Sequence, residues 1–413
     1  MSSLKPRIAI IGGGPAGLTA GVLLHKHGIP FTIFELRQKP TIEELAQPVG
    51  MLDLHEESGL AAIKKCDLFD DFLPLTGDCA PVMKISDKEG NIVLTHGDQG
   101  VNDCPEISRQ ALNQLLISKL PAETIKWGHK LLDATSATRS GHTETELDFA
   151  EHGKQVFDLV IGADGAWSRV RNLLTDVKPQ YAGRHIITVT IRQITQKYPH
   201  LVKLVGPGTF FALGNRHGVT VQRGSQDSAR MYIFIATPDE HFTTTSGLGD
   251  ETAASAKTKL LSDNALLGQW GARTKELVSV ACDEDSKANS SANVDIRAVY
   301  GFPVGHAWEH KRGTTLIGDA AHLMPPSGEG VNIGMWDAVL LSEAIVKAHE
   351  TDSQDIASFQ AILNLLIKEF EVEMAARAKE VAEQSYQLNE KLFAENGATA
   401  MIDFFKSFEP QPE

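Results

Sequence analysis

Two glycine-rich turns in this chain of 413 residues have the residue types to hold a phosphate and a polar ring. The first is Gly12-Gly13-Gly14-Pro15-Ala16-Gly17. In that spacing Gly12 permits a tight turn, Gly14 lets backbone approach a pyrophosphate, and Gly17 lets a helix pack close to a strand. Pro15 and Ala16 open that helix, whose free N–H groups and dipole attract an anion. Glu35 stands about 20 residues further on, where an acid takes the ribose hydroxyls of an adenosine. This turn alone leaves FAD and NAD(P) open. The second turn runs from Gly318-Asp319 through Pro325, Pro326, Gly328, Gly330 and Val331 to Asn332. Backbone N–H groups there meet an anion or the edge of a polar ring, and Asp319 is suited to a ribityl or ribose hydroxyl. A nucleotide at one end and a polar ring at the other describe FAD.

The elements that must position these turns are legible in the hydrophobic pattern. Arg7–Ile11 and Pro30–Glu35 read as parallel strands flanking the helix Leu18–His27. Phe157–Ala163 is a further buried strand leading into Asp164-Gly165 and a helical Ser168–Leu174, and Thr314–Asp319 is another. Glu56–Cys66, Ile107–Leu120, Gly330–His349 and Asp355–Leu392 carry helical periodicity. Met83–Ser86 and Ile92–Thr95 flank a turn-rich Asp87–Asn91 and predict a hairpin. Between Arg184 and Thr237 three alternating runs predict an antiparallel or mixed sheet, with one face buried and one open to a ligand. Thr243–Lys287 reads as helical and Ser286–Asn293 as a loop. The expected organisation is FAD-binding segments at 1–75, 105–180 and 301–345, a substrate-domain hairpin at 76–104, a substrate domain at 181–300 and a helical region at 346–413.

A formal charge of −14 argues against nucleic acid and against stable attachment to an anionic membrane. Cys66, Cys79, Cys104 and Cys282 have no CxxC spacing and no histidine cluster, so no metal site is expected. The opening MSSLKPR runs straight into the first strand, and the closing FEPQPE carries no peroxisomal or prenylation address, so the expected location is the cytoplasm. A monomer is the expected state, with an oligomer as the alternative.

The three segments GGGPAG at Gly12–Gly17, DLVIGADGAWSRVR at Asp158–Arg171 and GDAAHLMPPSGEGVNIGMWDA at Gly318–Ala338 resemble those of the class A flavoprotein aromatic hydroxylases, the para-hydroxybenzoate hydroxylase-like monooxygenases. Gly50–His55, Pro105–Arg109 and His322–Pro326 are most similar to the TetX-like tetracycline-inactivating members. The resemblance implies an α/β fold: a Rossmann-like, GR2-type FAD-binding domain, an inserted mixed β-sheet substrate domain and a long C-terminal helix. It implies FAD held by Gly12, Gly14, Pro15, Ala16, Gly17, Glu35, Leu36, Arg37, Asp53, Leu54, Arg109, Asp164, Gly318, Asp319, Pro326, Gly330, Val331 and Asn332. Substrate would meet Thr188, Thr209, Phe211, Gln222, Arg230 and Pro325.

The chemistry implied is reduction of FAD by NADPH or NADH, addition of O2 at flavin C4a, and transfer of oxygen from that hydroperoxide to a phenolic or enolic polycyclic substrate of aromatic or polyketide type. Tetracycline inactivation is its sharpest form; a hydroxylase of a secondary metabolite or aromatic acid is the alternative, and a non-catalytic FAD-fold binding protein the remote one. No catalytic acid, base or nucleophile is required, because the cofactor carries the chemistry. The backbone of Gly328, Gly330, Val331 and Asn332 is expected near the flavin, with His322 and His55 as structural hydrogen-bonders. Glu329 departs from the family pattern, since an acid beside an anionic flavin opposes its charge unless it is turned away.

Overall fold

The computed structural model describes residues 6–97, 104–139, 142–351 and 355–407. The two terminal stretches read for targeting signals lie largely outside these residues, as does part of the segment following the hairpin.

Short β-branched runs with no polar face build a five-stranded parallel sheet in the order Thr314–Leu316, Leu159–Gly162, Ile8–Ile11, Thr32–Glu35, Ile125–Trp127. Ile8–Ile11 and Leu159–Gly162 are buried throughout, as strands covered on both faces must be. The helix Pro15–Lys26 packs on Glu329–Glu350, which is covered in turn by Ile356–Leu392.

A seven-stranded sheet runs Asp295–Gly301, Gln180–Ile191, Ser228–Ala236, His217–Gly224, Thr209–Gly214, Met83–Asp87, Ile92–His96. It is mixed because Thr209–Gly214 pairs parallel with Met83–Asp87. Period-two alternation divides its faces. Ile187, Val189, Val219, Val221, Met231 and Ile233 are buried in one core cluster with Leu260, Leu277 and Val278 from the helices Ala253–Ser262 and Ala272–Ala288. Thr220, Gln222, Tyr232 and Phe234 line a cavity on the other face.

Several boundaries differ from the sequence reading. Glu106–Ser108 is a strand antiparallel to Met51–Asp53, and the helix begins only at Arg109, with Ser108 Oγ accepting from Ala111 N as its cap. The cap side chain stops the helix one residue short of the apolar Ile107, which is buried in the small ladder instead. The middle run of the substrate sheet is two strands, folded at Asn215 and Arg216 with φ of 51° and 61°. Such a two-residue turn ordinarily announces itself with Asn-Gly, and Arg216 conceals it. The helical Ser168–Leu174 shrinks to a 3-10 turn at Val170–Leu173, and Ser286 to Ala288 belong to a helix rather than a loop. A three-stranded antiparallel sheet, Asp133–Arg139, His142–Asp148 and Lys154–Phe157, has no counterpart in the sequence reading, and the helical region expected at 346–413 includes a separate helix, Gly397–Lys406. No helix among the described residues is long and apolar enough to cross a membrane.

Candidate active site

Two cavities meet where the parallel sheet opens at its carboxyl ends. The first, about 870 Å³, lies between the large sheet and the two glycine-rich turns. The second, about 690 Å³, lies over the first turn and the end of Thr32–Glu35. Ala163, Gly165 and Trp167 line both, so the Asp164–Trp167 turn forms the shared wall. Trp167 is 61% exposed and stands edge-on to Tyr300.

The first turn has the geometry of a phosphate cradle. A Cβ on Gly12, whose φ is +113°, would sit 2.1 Å from the Ala163 carbonyl oxygen, and one on Gly17 2.1 Å from the Gly12 oxygen. Both positions therefore need glycine for packing. Gly14 is different: a Cβ there meets nothing within 4 Å. Gly14 caps the Pro15–Lys26 helix without any side-chain bond, leaving its N–H groups to an incoming anion. Glu35 accepts from Gly13 N at 2.6 Å and from Arg37 N at 2.9 Å, which ties the end of the second strand to the turn. Glu35, Leu36 and Arg37 line the second cavity with Gly12 and Gly14.

Asp164 also lines the second cavity. Its Oδ2 accepts from Arg169 N at 2.7 Å, while Oδ1 is buried without a partner. Burial pushes this carboxyl above its ordinary range. An orphaned oxygen beside an open cradle is a receptor for a hydroxyl or amide donor. These features fit the adenosine-diphosphate half of FAD.

The second turn faces the first cavity. The helix Glu329–Glu350 starts at Gly328, with φ of +92° and no side-chain cap. Pro15, Ala16, Asp53, Arg109, Gly318 and Asp319 line this cavity, as do Pro325, Pro326, Gly328, Gly330 and Val331. The turn is held from behind. Asn389 Nδ2 donates to the Pro326 carbonyl at 2.9 Å, and the Ser327 and Ser385 hydroxyls are 2.6 Å apart, both from the long Ile356–Leu392 helix. Buried Asp337 accepts from Gly318 N, His322 Nε2 and Arg377, so His322 is an anchor of the strand end. Burial opposes protonation of His322, but Asp337 overrides it and raises its affinity for the proton.

Five predicted contacts line neither cavity. Leu54 is fully buried, its side chain part of the core. Asn332 is also buried: its Oδ1 accepts from His55 N at 2.9 Å and its Nδ2 donates to the Asp53 and Gly328 carbonyls, so it clamps two loops together. Thr188 and Arg230 share the cavity face by alternation but sit beyond its lining, and Arg230 donates to Thr190 Oγ1 at 2.6 Å. Gly17 serves packing, as its steric environment requires. Thr209, Phe211 and Gln222 do line the first cavity.

The structure pairs His55 with Glu329 and adds two cavity residues to which the sequence reading gave no role. His55 lies between Asp53 Oδ2 at 3.2 Å and Glu329 Oε2 at 3.4 Å. The bond to Asp53, then that to Glu329, raises its affinity for the proton to about 10. Glu329 thus faces a cation, and its charge is countered where the helix starts. Glu106 and Tyr232 line the cavity; the alternation of Ser228–Ala236 was the available signal for Tyr232, whereas Glu106 lies on a three-residue strand too short to show one. Among the described residues, His142, Glu144 and Asp158 are grouped closely enough to suggest a metal, but Arg7 bonds both carboxylates at 2.6 Å.

The profile of the FAD binding domain family matches residues 5–269 and 292–358. A monooxygenase of Penicillium thymicola, penA, is 33% identical, across 97% of this chain and 98% of its own length. Klebsiella pneumoniae HpxO, solved with FAD and uric acid, superposes with a TM-score of 0.73 at 16% identity, covering 97% of this chain and 92% of its own. The tetracycline destructase Tet(55) gives 0.66 at 17% identity, covering 98% and 95%. With its phosphate cradle, second glycine turn and full-length likeness to a monooxygenase, the chain belongs to the FAD-binding-domain family of class A, aromatic hydroxylase-type flavin monooxygenases.

Proposed function

We propose that the protein oxygenates a phenolic or enolic ring system in the first cavity, using NADPH or NADH and O2. Bound FAD supplies the redox chemistry and the activation of oxygen. The chain supplies everything around it. Gly12, Gly14, Glu35, Arg37 and Asp164 hold the nucleotide half; Pro15, Ala16, Asp53, Arg109, Gly318, Asp319 and the Pro326–Val331 backbone hold and orient the ring half. Gln222, Thr209, Phe211 and Pro325 bound the space left for substrate.

The observation that carries this reading is the joining of the two cavities at Asp164–Trp167, one able to seat a dinucleotide and the other bounded by the open face of the large sheet. With FAD and substrate filling it, such a chamber would hold less water, which would strengthen the polar contacts inside it and protect a reactive oxygen species. The uncapped N–H groups at Gly328 are placed to stabilise negative charge on the ring edge.

Tetracycline oxidation is one form of this activity. The displacement of Thr188 and Arg230 from the cavity lining favours the second form, a hydroxylase of another phenol or enol. The test is NAD(P)H oxidation by the FAD-loaded protein with and without tetracycline, followed with the drug's absorbance and the product mass. Stimulated oxidation with a product one oxygen heavier supports the first form. Intact drug with unstimulated oxidation removes it, and a panel of phenols then decides the second.

A further inference from the structure

Glu106 is the acid most embedded among substrate-facing groups. It lies on the short strand Glu106–Ser108, directly opposite Asp53 across the ladder to Met51–Asp53. Gln222, from the large sheet, spans the gap: its Nε2 donates to Glu106 Oε2 at 2.6 Å while its Oε1 accepts from Met51 N at 3.2 Å. The amide is thus pinned at both ends and fixes the carboxyl between the substrate sheet and the flavin-facing strand. The same cavity is also lined by the apolar Ala80, Pro81, Val82 and Phe211.

We propose that Glu106 is the proton acceptor of this cavity, taking the hydroxyl proton of a phenol or enol bound between the sheet and the Gly328 turn. The inference rests on the substrate reading given above. In the step the substrate O–H bond breaks, its electron pair stays on oxygen, and a carboxyl O–H bond forms on Glu106. No electron changes owner. The resulting phenolate or enolate is richer at its conjugated ring carbons, where an electrophilic oxygen attacks. The proton returns to solvent when product leaves.

The other titratable groups facing Glu106 are less suited. Asp53 is paired with His55, the Arg109 guanidinium at the following helix start offers hydrogen-bond donors and no acceptor, and burial pushes the Cys79 thiol and the Tyr232 phenol upward. For Glu106 itself, burial first and the Asp53 charge second raise the carboxyl to about 7, against opposing bonds from Cys79 and Gln222. It can therefore exchange a proton near neutrality, the condition under which a general base works best.

The test uses FAD-loaded wild type, Glu106→Gln and Glu106→Asp, with bound-flavin absorbance confirming the fold. Infrared difference spectra between wild type and Glu106→Gln are expected to show one protonated-carboxyl band that vanishes with a midpoint near 7. A midpoint in the ordinary carboxylate range, or no band at any pH, overturns the proposal. With tetracycline and unsubstituted phenol as probes, stimulated NADPH oxidation is expected to fall at least about tenfold in Glu106→Gln and to lose its acid limb, with partial recovery in Glu106→Asp. An unchanged rate and pH profile overturns the proposal while leaving the substrate reading intact. Absence of stimulation in wild type by either probe counts against the substrate reading instead, and the infrared midpoint then decides for or against Glu106. If Glu106→Gln fails to retain flavin, an acid limb unmoved in Glu106→Asp overturns the assignment.

Discussion

Replacing Gly14 with alanine separates the demands of folding from those of cofactor binding. Gly14 has φ of −83° and ψ of 178°, which alanine adopts freely, and its Cβ would meet no atom of the protein within 4 Å. The apoprotein should therefore be as stable as wild type, or gain about 0.4–1 kcal/mol from the reduced freedom of its unfolded chain. That corresponds to a melting rise of about 1–2 °C at most for a chain of this size. The added methyl nevertheless fills the cradle in front of the uncapped helix terminus and holds a phosphate away from its N–H groups. Loss of one charge-assisted hydrogen bond, about 1.5–3 kcal/mol, weakens binding about tenfold to a hundredfold. FAD titration by quenching of flavin fluorescence, beside thermal melting of the apoprotein, measures both quantities. Gly17→Ala is the control, since its Cβ lies 2.1 Å from a backbone oxygen and should destabilise the apoprotein itself by about 1–3 kcal/mol or more. Unaltered FAD affinity in Gly14→Ala would refute the placement of the pyrophosphate here.

His55→Leu should lower stability by about 1–2 kcal/mol at neutral pH, by leaving Asp53 and Glu329 facing each other. Because the folded His55 binds its proton more tightly than the ordinary 6.5, its contribution is complete below that pH and shrinks as pH rises through about 10. Urea unfolding at a series of pH values checks this; a gap between variant and wild type that widens towards alkaline pH contradicts it. Arg171 is buried, donates to the Ala320 and Ala166 carbonyls at 3.0 and 2.7 Å, and stacks 4.7 Å from the Phe302 ring. Arg171→Met should cost about 2–4 kcal/mol and reduce flavin retention, so an unmoved urea midpoint tells against this bracing. Trp167→Phe should leave stability within about 0.5 kcal/mol, since the ring is largely exposed. It should also remove the largest share of the FAD-dependent quenching of tryptophan emission; undiminished quenching places the cofactor away from this residue.

The scaffold was readable where local chemistry and tertiary role coincide. Gly12 and Gly17 are glycines because backbone oxygens crowd them, and the same spacing announces the turn. The buried strands Ile8–Ile11 and Leu159–Gly162 are apolar for the same reason they stand out in the sequence. The cavity was readable only in its alternation: Gln222 could be placed on a strand, but not its two hydrogen bonds, one from Met51 N and one to Glu106, which join segments more than a hundred residues apart. Asn332 shows the converse difficulty. It sits in a cofactor-facing turn, yet one helical turn beyond Gly328 its side chain points back into the protein and fastens His55. Glu329 looked adverse alone because the histidine that answers it is distant in the chain.

The order in which the strands join carries a consequence for biosynthesis. Ile8–Ile11 lies at the centre of its sheet, yet its neighbour Leu159–Gly162 is made much later, and the edge strand Thr314–Leu316 follows the whole of the other sheet. On the ribosome one edge of the earliest strand stays unpaired until Leu159–Gly162 has emerged, and that strand's far edge in turn waits for Thr314–Leu316. Strand pairing of such long range is slow and leaves an interval in which self-association competes. The yield of recombinant enzyme should thus respond to translation speed and to chaperones that shield nascent chains, independently of how stable the finished molecule is.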